Sequence, residues 1–130
     1  MSDIQTAHHP KWQKVLGLIL SVVPSLMLLG SAAMKFKGGD EMAKGFDHLG
    51  LPLELATGLG TIEGLIALVN LIPKVSFLGA ILITGYMGGA ILTHLRIGEP
   101  VFVQFLFGVV VWVGYGLRNP DVIRRAFKLI

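Results

Sequence analysis

No cysteine occurs among the 130 residues, so the chain forms no disulfide, thiolate metal site or thiol redox couple of its own. Charge is scarce too: 15% of residues are charged, 53% are hydrophobic, and the mean hydropathy is +0.72. A small water-soluble domain is excluded by that balance. The sequence also lacks a Walker phosphate loop, a His-Glu-x-x-His zinc motif and a Gly-x-Ser-x-Gly nucleophile elbow. His8-His9 alone is a weak metal signal, and only His94 lies at the depth where a haem between helices would need a pair, so no metal is expected. The formal net charge is +3, yet the 11 Lys and Arg are scattered over segment ends rather than gathered on one face. They read as topology signals, and no nucleic-acid partner is expected.

What is present is apolar sequence in four runs: 15–34, 53–72, 75–95 and 101–117. The last run is the shortest and reaches roughly 26 Å as a helix, at the low end of what spans a bilayer. Six prolines and 17 glycines fit this reading, because packed membrane helices tolerate both. The first run is too long for a cleaved signal segment and is read as a retained helix. A polar loop, 35–52, follows it, whereas Pro73-Lys74 and 96–100 are short connections that make the last three runs antiparallel neighbours. The expectation is an all-α membrane protein: a single domain, a four-transmembrane-helix up-down bundle.

Lys11, Lys14, Lys74, Arg118, Arg124, Arg125 and Lys128 fall on one side of such a bundle, and Lys35, Lys37, Lys44 and Arg96 on the other. The positive-inside rule then puts both termini in the cytoplasm of a chain in the cell membrane. The basic tail, 118–130, has two open readings: a short helix lying on anionic headgroups, or a frayed stop-transfer end.

Ionisable groups at membrane depth cost about 2.5–3.5 kcal/mol on insertion scales, which makes the polar positions inside the runs informative. Glu63 lies nine residues into the second run, near the midplane. Counting depth from the run ends puts Pro24 and Ser25 level with it on the first run, and Thr84, with Tyr86 slightly further out, on the third. Helical phase collects Ala56, Gly60, Glu63, Ala67 and Asn70 on one side of the second run. Ser76, Gly79, Ile83, Tyr86, Ala90, Thr93 and His94 form a comparable stripe on the third, and both stripes are expected to face inward. Nearer the outer mouth, depth places His94 level with Glu54 and Lys35, with Arg96, Glu99 and Gln104 close by. Glu54 projects from the opposite side of its helix to Glu63. The candidate ligand-binding set is therefore Glu63, His94, Lys35, Tyr86, Glu54 and Arg96. Each has a plainer reading: Glu63 as a carboxyl that ties helices together, Lys35 and Arg96 as snorkelling anchors, His94 as an interfacial residue. Trp12, Trp112 and Tyr115 read as interface anchors, and the fourth run as mainly structural.

The order of several short motifs resembles a known family. Gly30-Ser31-Ala32-Ala33-Met34-Lys35-Phe36 is followed by Phe46-Asp47-His48-Leu49-Gly50-Leu51-Pro52, then Gly60-Thr61-Ile62-Glu63-Gly64 and Leu71-Ile72-Pro73-Lys74. Leu78-Gly79-Ala80 and Met87-Gly88-Gly89-Ala90 then lead to Thr93-His94. This sequence of landmarks is similar to the DoxX-like family of small four-helix membrane proteins, in which Lys35, Glu63 and His94 match recurrent polar positions. The family takes its name from a membrane subunit of a thiosulfate:quinone oxidoreductase. Polar groups on apolar walls point to a binding or accessory subunit for a small amphipathic molecule, a quinone or a lipid, and the resemblance implies a membrane redox setting for it. No cofactor motif is evident; a quinone, a soluble redox partner and a homo-oligomer are what such a subunit would take. Two other classes stay open: a small proton-coupled multidrug-type transporter using Glu63, and a membrane enzyme with Glu63 and His94 as acid and base.

Overall fold

The computed structural model describes residues 9–128; His8 and the last two residues of the basic tail lie outside it. The described chain is helical, and no strand occurs among the described residues. It comprises α1 (Lys11–Lys37), α2 (Asp40–His48), α3 (Leu55–Leu71), a 3-10 turn (Pro73–Val75), α4 (Ser76–Leu95), α5 (Phe102–Arg118) and α6 (Pro120–Lys128). α1 packs on α3 and α5, α3 on α4, and α4 on α5, so the four long helices form a ring.

Side-chain register fixes the directions. Asn70 near the end of α3 bonds to Ser25 and Ser21 on the early part of α1, while Gly60 near the start of α3 lies against Lys35 and Ala32 at the end of α1. Those two helices are antiparallel. Gly79 against Asn70 and Tyr86 against Glu63 make α4 antiparallel to α3. Gly114 against Leu20 and Ser21 does the same for α5 and α1. The two ends of the described chain and the α3–α4 turn therefore share one end of the ring, here the terminal end; α2 and the α4–α5 connection occupy the other, the loop end.

The interior is small and polar while the exterior is large and apolar, the reverse of a water-soluble domain. Ser21, Ser25, Glu63, Asn70 and Ser76 are buried beside Ala67, Ala80 and Ile83. Leu18, Val23, Leu26, Leu65, Leu68 and Phe105 are exposed on the outer faces. Such a surface suits a lipid environment. Ser21 and Ser25 donate to the carbonyls one turn behind them, and Asn70 donates to Ser25 Oγ at 2.9 Å, so the interior hydroxyls are satisfied without water. Both expected inward stripes are inward: every named α3 position is buried, and those on α4 are buried or half-buried.

By length and apolarity two helical segments, Lys11–Lys37 and Pro73–Leu95, suffice to cross a membrane; α5 joins them if its sharply bent continuation into α6 counts as one span. α3, with 17 residues, is a shorter apolar helix. The stretch expected to be loop differs in kind. α1 runs on to Lys37, and Asp40–His48 is helical, with Asp40 and Glu41 in its first turn where carboxylates favour the helix dipole. At the other end α6 turns by 102° from α5. Gly116 permits this: a Cβ there would lie 3.0 Å from Ile123 Cγ1.

Candidate functional site

A cavity of about 730 Å³ opens inside the ring toward the loop end. α1, α3, α4 and α5 all contribute to its walls, and α2 with the loop after it lies over it through Met42, Gly45, Phe46, Leu49 and Leu51. Most of the lining is apolar. Its polar floor comes from three helices.

Glu63 is 3% exposed, a carboxylate almost wholly removed from solvent. Lys35 Nζ donates to its two oxygens at 3.0 and 3.1 Å, and Tyr86 Oη donates to Oε1 at 2.5 Å. The same ammonium donates to Ser31 Oγ at 2.8 Å. A buried ion pair repays its desolvation only when its remaining lone pairs and protons are satisfied, and Ser31 and Tyr86 meet that condition. Gly60 makes the approach of the helices feasible. A Cβ on it would stand 3.1 Å from Lys35 Cβ, so α1 and α3 close together one turn from Glu63 and the lysine stem reaches the carboxylate.

This differs from the depth count in the sequence. Lys35 was expected at the mouth beside Glu54 and His94; it is instead the partner of Glu63. Relative to that count α1 is shifted by nearly two turns against α3, with Gly60 lying against Lys35 and Ala32 and Asn70 bonding to Ser25. Ser25, expected level with Glu63, is level with Asn70. Thr84 serves a different neighbour, accepting from Trp112 Nε1 at 2.7 Å. Trp112 and Tyr115, expected as interface anchors, form with Phe77 an aromatic cluster between α4 and α5, in which Tyr115 is buried.

His94 lines the cavity above the ion pair, but its partner is Glu99, through Nδ1 to Oε2 at 2.6 Å. The other Glu99 oxygen meets His48 Nε2 of α2. A carboxylate only accepts, so both ring nitrogens present N–H to it. Arg96 donates to the carbonyl of Leu49. These contacts tie α2 and its following loop to the α4–α5 connection. Hydrogen bonds from His48 first and His94 second hold the Glu99 carboxyl below the usual carboxylate range. Glu54, at the start of α3, is exposed and does not line the cavity.

Of the six candidate residues, then, Lys35, Glu63, Tyr86 and His94 share one cavity, Arg96 braces its cover and Glu54 stands apart. Ser31, Phe46 and His48 were not singled out as site residues. Ser31 lies one turn before Lys35 on the same face, and Met42, Phe46 and Leu49 follow helical spacing across the supposed loop; both signals were readable. Gln104 Oε1 is buried with no hydrogen-bond partner among the described residues, and Gln104 lines this cavity. No group of acidic and histidine side chains that could hold a metal occurs among the described residues.

The sequence model of the DoxX-like family matches residues 19–115, a stretch that contains the ion pair, Tyr86, His94 and the full lengths of α2, α3 and α4. The chain belongs to the DoxX-like family. Family and apolar outer faces agree on a membrane protein. No curated protein and no solved structure matches the chain. The DoxX-like match thus carries the cavity as one unit, since α2, α3 and α4 and the Lys35 end of α1 all lie within it.

Proposed function

We propose that this DoxX-like protein spans the membrane four times and acts as a binding or accessory subunit that holds a small amphipathic molecule, a quinone or a lipid, in the cavity above Lys35, Glu63 and Tyr86. One observation carries the reading: largely apolar walls converge on a buried cluster of an ammonium, a carboxylate and a phenol. Such a pocket accepts a hydrophobic body and orients one polar end. Gln104 Oε1, an acceptor without a donor among the described residues, offers a further hydrogen bond to a hydroxyl-bearing head such as a quinol. A membrane redox setting, a soluble partner and a homo-oligomer belong to the same proposal.

The transporter reading is less well supported. A carboxylate that exchanges a proton for a cation must be free to do so, and Glu63 already carries the Lys35 ammonium. The enzyme reading loses its pairing of groups, because His94 is engaged by Glu99 and Glu63 by Lys35 and Tyr86. The test is direct. Protein in nanodiscs loaded with a decyl-chain benzoquinone, then gently solubilised, is expected to retain the quinone. Tyr86→Phe, which removes one hydrogen bond to a charged group, is expected to weaken retention by about tenfold, and Glu63→Gln by more. Wild type that retains neither quinone nor lipid, or retention unchanged in both variants, overturns the proposal.

A further inference from the structure

A second cavity, of about 800 Å³, lies between α4 and α5 on the outer face of the ring and ends beneath α6. It is separate from the cavity above the ion pair, with Met87 and Gln104 standing in the wall between them. Glycines shape it: Gly88 and Gly108 line it, and neither has a neighbour within 4 Å of where a Cβ would be. From Gln104 to Leu117 it follows most of α5, roughly 20 Å of helix. One leaflet of hydrocarbon is on the order of 15 Å deep, half of a core of about 30 Å. The groove therefore runs past the depth of one leaflet and has room for an extended acyl chain along α5.

Its closed end says what head that chain carries. α6 crosses α5 at 102°, so Pro120 and Ile123 wall the groove and Arg124 stands at its rim. This terminal end holds seven Lys and Arg, against one carboxylate, Asp121, among the described residues. Asp121 lies 3.9 Å from Arg124 with both side chains exposed, too distant for a strong pair. Arg118 at the same elbow does not line the groove: its stem lies against Gly17 of α1. An apolar slot that runs along most of α5 and ends beneath Arg124, at an end of the ring rich in cations, is complementary to a phospholipid with net negative charge.

We propose that this groove is a binding site for one anionic phospholipid, with an acyl chain laid along Gly88 and Gly108 and the phosphate on Arg124. The proposal does not depend on what the inner cavity holds. Protein reconstituted in nanodiscs of equal phosphatidylglycerol and phosphatidylcholine, then examined by native mass spectrometry, is expected to retain one phosphatidylglycerol in clear preference to phosphatidylcholine. Arg124→Ala is expected to reduce that preference by about fivefold, the effect of one cation at a lipid surface. Gly108→Leu fills the groove and is expected to abolish retention of both lipids, while Lys37→Ala, at the opposite end, changes nothing. Thermal unfolding in detergent checks that Gly108→Leu remains folded; Gly88→Leu replaces it if it does not. Equal retention of the two lipids by wild type overturns the proposal, as does phosphatidylglycerol retention unchanged by Arg124→Ala or by a folded groove-filling variant.

Discussion

Lys35 and Glu63 are each the reason the other is tolerated at depth. Their side chains are 14% and 4% exposed, so neither has much solvent to fall back on. Removing one partner leaves the other buried without its counter-charge, and in proteins that change typically costs about 3–5 kcal/mol. Lys35→Met is expected to destabilise the protein by that order, read as a fall in thermal midpoint in detergent. Replacing both residues removes the pair together with its desolvation penalty, so Lys35→Met with Glu63→Met is expected to recover most of the loss. A double variant no more stable than the single one would show that the cluster supports the fold through Ser31 and Tyr86 rather than through the pair. The sequence made both charges conspicuous but not their contact. Depth counted from the ends of apolar runs treats a lysine as a point at its Cα, whereas its stem spans more than a helical turn and Gly60 lets it point inward.

Among the elements, α3 and α4 depend most on close approach. A Cβ on Gly79 would lie 2.5 Å from the Cα of Asn70 and 2.7 Å from its N, backbone atoms that cannot swing aside. Gly79→Ala is expected to destabilise by about 1–3 kcal/mol through overpacking, and Gly85→Ala, where nothing lies within 4 Å, by far less. Comparing their unfolding midpoints in detergent separates packing from helix propensity, because both changes favour the isolated helix equally. α2 is held differently, by buried Phe46 and by the contacts of His48 and Arg96 across to the α4–α5 connection. Since the folded protein lowers the Glu99 carboxyl, its contribution is present above the ordinary carboxylate range and is lost as pH falls through the lowered value. The protection of the Asp40–His48 amides, taken relative to their intrinsic exchange rate at each pH, is therefore expected to hold from neutral pH through the ordinary glutamate range and to fall as pH drops through the lowered Glu99 value. His48→Ala removes the largest cause and is expected to bring the Glu99 midpoint back up, as followed by carboxyl carbon NMR. Exchange in α2 that is fast at pH 7 would mean the cover is not latched. This element was legible only in part: the glycines at 38, 39, 45 and 50 argue for loop, and the apolar spacing that makes it a helix spans just three positions.

For the whole molecule the open matter is how the ring sits in the bilayer, and helix lengths sharpen it. At ~1.5 Å per residue α1 is about 40 Å long and α4 about 30 Å, but α3 and α5 reach only about 26 Å. Each short helix lies between the two long ones and carries its own apolar outer face, Leu65 and Leu68 on α3, Phe105 and Leu106 on α5. In the proposed four-span arrangement a helix so flanked shares the depth of its neighbours, and a shortfall of a few ångströms would be met by local thinning of the bilayer. The family and the apolar runs were readable from the sequence because lipid exposure demands long, one-sided hydrophobicity; the side on which the termini lie rests on a modest charge bias. The absence of native cysteine makes this testable without a background. Glu41→Cys, Lys74→Cys and Lys128→Cys place one thiol each at the loop end, the α3–α4 turn and the terminal end. Four spans with cytoplasmic termini require an impermeant maleimide to label only Glu41→Cys in intact cells and all three after permeabilisation. Labelling of Lys74→Cys together with Glu41→Cys would mean that α3 does not cross. Lys128→Cys reacting on the opposite side from Lys74→Cys would remove α5 from the spans, and a fully inverted pattern would put the termini, with the lipid groove under α6, on the outer face.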